Sequence, residues 1–511
     1  MQLTIEKMIY GGDGLGRLAT EAGGQPGEAP ASPQEQSKRM QVTAAQKSGE
    51  ASVSRGKAVF VPFVLEGERV EIEVVESRPG FARGRALSLV SRSPQRVEPG
   101  CPYFGRCGGC HYQHASYEHQ LAIKQQILQE TLRRTAKMEL EVPLQVHASP
   151  PWHYRNRTRL KVQSPPQQRQ RRSRQAGPGT PEIKSTATLV LQESLDPQSL
   201  GLGYFAHGSH RFVAVEQCPI SSPLINRALR ALLEVDEFRP WAPNVAEVEL
   251  FANHDDSALL AGFYLRNAVD AAKFRLCFQA LEAALPELRG AALILGEVDE
   301  DGGSSVSHHL PQILGERWLQ YTTQEGQFLA GVGSFFQTNR FLVDELASTV
   351  VAGSQGRRVL DLYAGVGLFS LPLSRSFERV TAVEIAPSAI GALRANSVHP
   401  SECKNGIRQG PRSDAFEVVE AASEQFLRSL DPGEEVDLVV VDPPRAGLGE
   451  NTARALAALR TPRLTYVSCD PATLARDLRP LLDAGFLVRE AHLLDLFPQT
   501  FHLETVLQLE R

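Results

Sequence analysis

Three of the seven cysteines in this 511-residue chain fall within ten positions, as Cys101, Cys107 and Cys110 in CPYFGRCGGC. Thiolates at C-x5-C-x2-C spacing can share one metal centre, but closed zinc and iron–sulfur sites take four donors, so one is missing from the segment. A different chemistry is offered by Cys469 in YVSCDPATLARDL (466–478). It ends an apolar run and sits between polar residues, a setting that suits a reactive thiol better than a core-filling one. Asp442 ends another apolar run, in VVVDPPRAGL (439–448), and two prolines stiffen the chain beyond it. Upstream, the two glycines of DLYAGVG (361–367) let the backbone approach a ligand, and Glu384 follows about 20 residues on, where a carboxylate can accept both hydroxyls of a ribose. That pair suits a nicotinamide dinucleotide or S-adenosylmethionine. The third glycine of the dinucleotide pattern is missing, and the downstream motifs do not suit hydride transfer.

These groups need elements to hold them. From about residue 356 strands and helices alternate: RRVLDLYAGVGLFSLPLS and RVTAVEIAPSAIGALRANS read as strand, turn and helix, and DLVVVDPPRAGL and LTYVSCDPATLARDL as buried strands followed by polar elbows. This is the rhythm of an α/β doubly wound sheet, which binds ligands at the carboxyl ends of its strands. Near the amino end, LTIEKMIY, KAVFVPFVL, ERVEIEVVES and GRALSLVS read as the strands of a small antiparallel β-barrel. Residues 20–55, rich in Gly, Pro, Ser, Gln and Ala, read as a disordered insertion in a hairpin. A second low-complexity insertion, 164–184, interrupts two strands of one sheet, TRLKVQ and TATLVLQ. YEHQLAIKQQILQETLRRT has helical spacing through Leu121, Ile127, Leu128 and Leu132. Three domains are expected: a barrel over 1–92, a central α+β domain over 93–330 and a Rossmann-like domain over 331–511.

An apolar content of 42% suits soluble globular domains, and no run approaches a membrane span. The start does not read as an export signal. An odd number of cysteines then argues against a disulfide framework and for a cytoplasmic protein.

DLYAGVGLF, DPPRAG, SCDPATLARD and FPQTFHLETV, with GSFFQTN (333–339) and the cysteine spacing, together resemble the RNA (uracil-5-)-methyltransferase family. The barrel resembles a TRAM domain, an RNA-binding module of the oligonucleotide-fold type. The resemblance implies an S-adenosylmethionine-dependent enzyme that methylates C5 of a specific uridine, with ribosomal RNA expected ahead of transfer RNA. Uracil C5 does not attack a methyl sulfonium unaided, and a thiolate added at C6 makes it nucleophilic. The resemblance assigns that thiolate to Cys469 and the base that removes the C5 proton to Glu504. It assigns donor binding to Gln337, Tyr363, Glu384 and Asp442. One position departs from the family pattern: Ala421 stands where Asp or Asn contacts the adenine amine. A cytosine-5 methylase and a non-catalytic RNA-binding factor of the same fold are the other readings.

The resemblance also places the fourth metal ligand in a Cys-Pro turn, which nominates Cys218 in VEQCPI, and implies a [4Fe–4S] cluster of structural role. Zinc is the rival on four thiolates. A radical methylase would use C-x3-C-x2-C and leave one iron open. Cys277 reads as core in KFRLCFQALEAAL, and Cys403 lies in a loop of the catalytic domain.

The formal net charge is −5, yet residues 155–174 hold eight Arg or Lys and no acid. RNRTRLK would present Arg155, Arg157 and Arg159 on one strand face to RNA phosphates, with Tyr154, Tyr204 and Phe205 stacking on unpaired bases. A monomer with no membrane partner is expected.

Overall fold

The computed structural model describes residues 1–18, 56–164, 200–298, 304–306, 312–398, 416–431 and 433–511. The expected insertion at 20–55, all but Ser164 of the one at 164–184, the strand TATLVLQ and Cys403 lie outside the described residues. The chain divides into two units, residues 1–98 with 114–116 and residues 99–113 with 117–511.

In the first unit, alternation of apolar and polar residues builds five strands: β1 (Gln2–Met8), β2 (Asp13–Arg17), β3 (Ala58–Pro62), β4 (Arg69–Ser77) and β5 (Phe81–Ser91). They close into a barrel in the order β1-β2-β3-β5-β4. Leu3, Ile5, Val59, Val61, Val70, Ile72 and Ala82 fill its interior. β2 carries glycines inward because nothing larger fits. A Cβ on Gly14 would stand 2.5 Å from Val64, and one on Gly16 2.6 Å from the Thr4 carbonyl.

The second unit opens with the cysteine segment and α1 (Tyr117–Thr131), then β6 (Leu144–His147) and β7 (Arg157–Gln163). There follow β8 (Gly201–Phe205), β9 (Phe212–Ala214), α2 (Pro223–Glu234), β10 (Val245–Ala252), β11 (Leu259–Leu265), α3 (Ala271–Ala284), β12 (Leu288–Val298), β13 (Ser304–Val306) and β14 (Gln312–Gly315). Strands β7 to β14 form one sheet, in the order β13-β12-β11-β10-β7-β8-β9 with β14 also on β12. Helices α2 and α3 pack on one face through Leu224, Leu229, Trp241, Phe263 and Phe274. Cys277 belongs to that core. The opposite face, through Phe251 and Leu260, joins a core shared with the hairpin β15 (Leu319–Thr323) and β16 (Gly326–Ala330) and with the C-terminal sheet.

That last sheet holds α4 (Val343–Val351), β17 (Gly356–Leu362), β18 (Phe377–Glu384), α5 (Pro387–Val398), β19 (Phe416–Glu420), α6 (Ser423–Ser429), β20 (Leu438–Val441), α7 (Gly449–Ala458), β21 (Arg463–Ser468), α8 (Pro471–Asp483), β22 (Leu487–Leu494) and β23 (Glu504–Glu510). Its order is β19-β18-β17-β20-β21-β23-β22-β6, parallel from β19 to β21. The strand order reverses at β17/β20, the switch point where such sheets bind ligands. Residues 144–147 of β6 lie outside the domain expected over 331–511, yet they pair with Ala491–Leu494 and complete this sheet.

α1 buries two polar groups on its inner face, Gln120 and Lys124. The Lys124 ammonium meets the Asp495 carboxylate at 2.5 Å, and both side chains are fully buried. Removing one partner leaves a buried charge uncompensated, which costs ~3–5 kcal/mol. Lys124→Met is therefore expected to lower stability by about that amount in denaturant unfolding, and the double variant with Asp495→Leu to recover most of it. Equal stability of the single variant and the wild type would refute the role of the pair.

Candidate active site

The switch point is built from two strand ends. β17 runs into Tyr363, whose φ of 63° is left-handed, and then into Gly365 and Gly367 at φ 58° and 95°. A Cβ on Gly367 would strike Leu371 and Leu393 at 2.8 and 2.9 Å, whereas one on Gly365 would meet nothing, leaving open space above the turn. Glu384, at the end of β18, fixes the turn: its carboxylate accepts from Gly365 N at 2.8 Å and from Ile385 N and Ala386 N at 2.7 Å. Ser388 donates to the Gly333 carbonyl at 2.8 Å, which draws the segment carrying the buried Gln337 toward the end of β18. Asp442 follows β20, with its amide on Leu362 O at 3.4 Å. Tyr363, Glu384 and Asp442 thus gather at the carboxyl ends of adjacent strands, with Gln337 on the neighbouring loop. At Ala421 the backbone N–H is occupied by the Glu384 carbonyl at 3.1 Å.

The second half of the site lies two strands over. Cys469 follows β21 and precedes α8, whose first turn is capped by Asp470 accepting from Ala472 N and Thr473 N at 2.9 Å. Ser468 pairs with Thr505 across β21 and β23, so Cys469 and Glu504 emerge side by side at one end of the sheet. Val441 is level with Tyr466, which places Asp442 at the same end. Burial, then Glu504, then Asp442 push the Cys469 thiol up to about 12, against the pull of Arg445. Burial and the Asp442 charge raise Glu504 well above the carboxylate range. Burial and the Asp361 charge raise Asp442 to about 7. The three groups therefore feel one another's charge, and at neutral pH the site resists holding all of them ionised.

Sequence reading overlooked the residues that hold this arrangement. Asp477, the last letter of SCDPATLARD, is buried and accepts from Leu448 N at 2.6 Å and Tyr466 Oη at 2.9 Å. Gly447 turns at φ 73° directly over it, where a Cβ would stand 2.4 Å from its carboxylate. The DPPRAG loop is thereby tied to α8, and Arg445 Nη2 is set 3.1 Å from the His502 ring nitrogen. The loop leading to Glu504 is clamped to the cysteine segment and to α1. His111 N and Tyr112 N donate to Gln499 O at 2.8 and 2.9 Å, and the Gln120 amide both donates to Gln499 Oε1 and accepts from Gln499 N. Tyr154 Oη donates to Pro498 O at 3.0 Å and Lys124 Nζ to Phe497 O at 2.9 Å.

Cys101, Cys107, Cys110 and Cys218 line one cavity, with no Asp, Glu or His among its other lining residues. Burial, followed by neighbouring thiols, pushes Cys110 far up and Cys107 to about 11. The donor set is soft and sulfur-only, which fits an iron–sulfur or zinc centre. The described residues nevertheless contain no group of three or more His, Cys, Asp or Glu side chains arranged to hold a metal ion.

The expected basic track is not a free one. Across the ladder, Arg157 pairs with Glu249, Arg159 lies 3.3 Å from Glu249 and 3.7 Å from Glu247, and Lys161 pairs with Glu247. A strand's cross-ladder partners lie far away in sequence, so the alternation could not reveal them. Arg155 lines the cysteine cavity instead. Tyr154 is buried on its carbonyl partner, and Tyr204 shares a 2.8 Å hydrogen bond with Thr158, so neither stands out as a platform for a base.

The Rossmann-like sheet, with its glycine turn at the switch point, has the fold of methyltransferases. A solved Pyrococcus abyssi tRNA (uracil-54, C5)-methyltransferase, in complex with S-adenosyl-L-homocysteine, shares the fold at TM-score 0.63 and 22% identity, with both chains covered completely. The TRAM domain matches residues 41–87 and the tRNA (uracil-5-)-methyltransferase family residues 202–511. The chain belongs to that family of S-adenosylmethionine-dependent enzymes. It is 30% identical to an uncharacterized RNA methyltransferase of Thermosynechococcus vestitus, with 88% of this chain and 92% of that one covered. It is also 30% identical to the 23S rRNA (uracil(1939)-C(5))-methyltransferase RlmD of Halomonas elongata, over 89% of this chain and 85% of that one. Among the described residues no helix is long and apolar enough to cross a membrane.

Raised carboxyl values have a consequence for stability. A folded state that keeps Asp442 protonated to about pH 7 binds a proton that the unfolded chain has already released, so stability falls as pH rises through that window. Asp442→Asn removes the titration. Its melting temperature relative to wild type is expected to rise from pH 5 to pH 8 in calorimetry, and a difference that does not change with pH would refute the assignment.

Proposed function

We propose that the protein transfers the methyl group of S-adenosylmethionine to C5 of a specific uridine in RNA, ribosomal RNA being the expected target. The observation that carries the reading is the convergence of Cys469, Glu504 and Asp442 at the carboxyl end of one sheet, beside the donor turn. Glu384 offers a carboxylate for the ribose, and Gln337, Tyr363 and Asp442 line the donor's path. The target base leaves its stack to reach the thiol. The Cys469 thiolate forms a bond to C6, and the electron pair displaced onto C5 takes the methyl, releasing S-adenosylhomocysteine. Glu504 accepts the C5 proton, the C6–S bond breaks and the thiolate returns. The sulfonium cation favours ionised Asp442, Glu504 and Cys469, opposing the effect of burial. Arg445 lowers both Cys469 and Glu504 and acts in the same direction.

Cys101, Cys107, Cys110 and Cys218 would hold a [4Fe–4S] cluster. When bound it supplies a covalent cross-link between the cysteine segment and the turn before α2, not electrons for methyl transfer. Iron and sulfide analysis of anaerobically purified protein is expected to give four irons, and one zinc without iron would overturn the choice of metal.

Cys469→Ala is expected to abolish turnover while S-adenosylhomocysteine binding persists. Methylation at near wild-type rate would sink the mechanism, and a wild type equally inactive on RNA would favour a non-catalytic binding factor. In Glu504→Gln, release after methylation should slow by ~10²–10⁴-fold and a covalent protein–RNA adduct should accumulate on a denaturing gel. An active variant without adduct would point to another base. Mapping 5-methyluridine in ribosomal and transfer RNA from cells with and without the gene decides the target: loss confined to transfer RNA would overturn the ribosomal assignment.

A further inference from the structure

We propose that Arg155 is the built-in countercharge of an anionic metal centre on Cys101, Cys107, Cys110 and Cys218, and that it sets how tightly the metal is held. The inference rests on the reading of the cysteine set given above. In RNRTRLK, Arg155 looks like the first member of a basic row, but its surroundings differ from those of its neighbours. Arg157, Arg159 and Lys161 each face Glu247 or Glu249. Among the described residues no carboxylate pairs with Arg155, and its Nε is shut away without a hydrogen-bond partner. Its backbone is fixed on the turn that carries Cys218: Arg155 N donates to Ile220 O at 2.9 Å, Ser222 N donates to Arg155 O at 2.8 Å, and Ser221 N closes the turn on Cys218 O at 2.9 Å. From there Arg155 joins the four cysteines in lining one cavity.

A half-buried guanidinium whose Nε is shut away without a partner calls for an anion beside it. The cavity wall supplies only thiols, aromatic rings, amides and aliphatic groups, so no anion comes from a carboxylate there. Four thiolates around zinc, or around the oxidised four-iron cube, leave about two net negative charges, and that is the missing partner. A fixed cation beside such a centre stabilises it and, where the metal is iron, favours the added electron. The guanidinium also has donors to spare for sulfur, a contact of the kind that orients metal ligands and tunes the centre.

The test uses the full chain, purified anaerobically, as wild type, Arg155→Met and Arg155→Lys. Metal and sulfide are measured, extraction by a chelator is timed, and iron-loaded protein is titrated for its one-electron potential. Arg155→Met should release metal roughly tenfold faster or more, and its potential should move negative. Arg155→Lys, which keeps the charge, should stay closer to wild type on both. S-adenosylhomocysteine binding reports on the fold, because the donor turn lies on the C-terminal sheet. If Arg155→Met no longer binds it, Arg155→Lys decides: retention near wild type supports the countercharge, and loss equal to that of Arg155→Met overturns it. Equal extraction rates and potentials in a folded Arg155→Met variant and metal-loaded wild type would overturn the inference alone. Wild type carrying neither iron nor zinc would overturn the reading of the cysteine set beneath it.

Discussion

The reciprocal amide pair between Gln120 and Gln499 is the constraint on which the catalytic end of the molecule depends. Gln499 stands at φ 69°, a left-handed backbone that a glutamine adopts only when its surroundings enforce it. Both ends of the Gln120 amide are spent on it, and its carbonyl takes two further N–H groups from residues 111 and 112. One residue of a surface-type loop is thereby satisfied as fully as a residue in a sheet. The loop so held delivers His502 and Glu504, while the segment that holds it begins one residue after Cys110. Order in the cysteine segment and order at the base are consequently one mechanical problem.

A different tension governs the reacting groups. Cys469, Glu504, Asp442 and Asp361 crowd negative potential into the ends of four neighbouring strands, and burial raises each of them. Such a site costs stability and is tolerated because a cationic substrate is the natural relief. The scaffold answers with many fixed groups: the Asp470 cap, the Asp477 anchor under Gly447, and the buried Lys124–Asp495 pair.

Much of this was legible in the sequence because it is written in local patterns. Alternation gave the barrel strands, and strand–turn–helix rhythm gave the Rossmann-like sheet with Tyr363, Glu384, Asp442 and Cys469 at strand ends. What could not be read was pairing at long range. RNRTRLK announces positive charge, but its neutralisation by Glu247 and Glu249 is set by the register between β7 and β10, 86 to 92 residues apart. The helical spacing of α1 gave no sign of Gln120 and Lys124, because the partners at 495–499 that draw them inside lie more than 370 residues away. Arg445 and Asp477 were present as letters of motifs, yet only the fold gives one a place beside His502 and the other a place beneath the DPPRAG turn.

The edge strand β6 has a bearing on how this fold can be dissected. Its four residues are parallel partners of β22, and the whole sheet of β7 to β14 is threaded between it and β17. In architectural terms the central layer is an insertion within the C-terminal layer, not a neighbour placed before it. A fragment cut at residue 331 would keep every motif of the donor turn and of Cys469, but it would bare a row of unpaired backbone groups along β22, the kind of open edge that recruits strands from other molecules. Self-sufficiency in this chain therefore follows the hydrogen-bond ladder and not the order of the motifs.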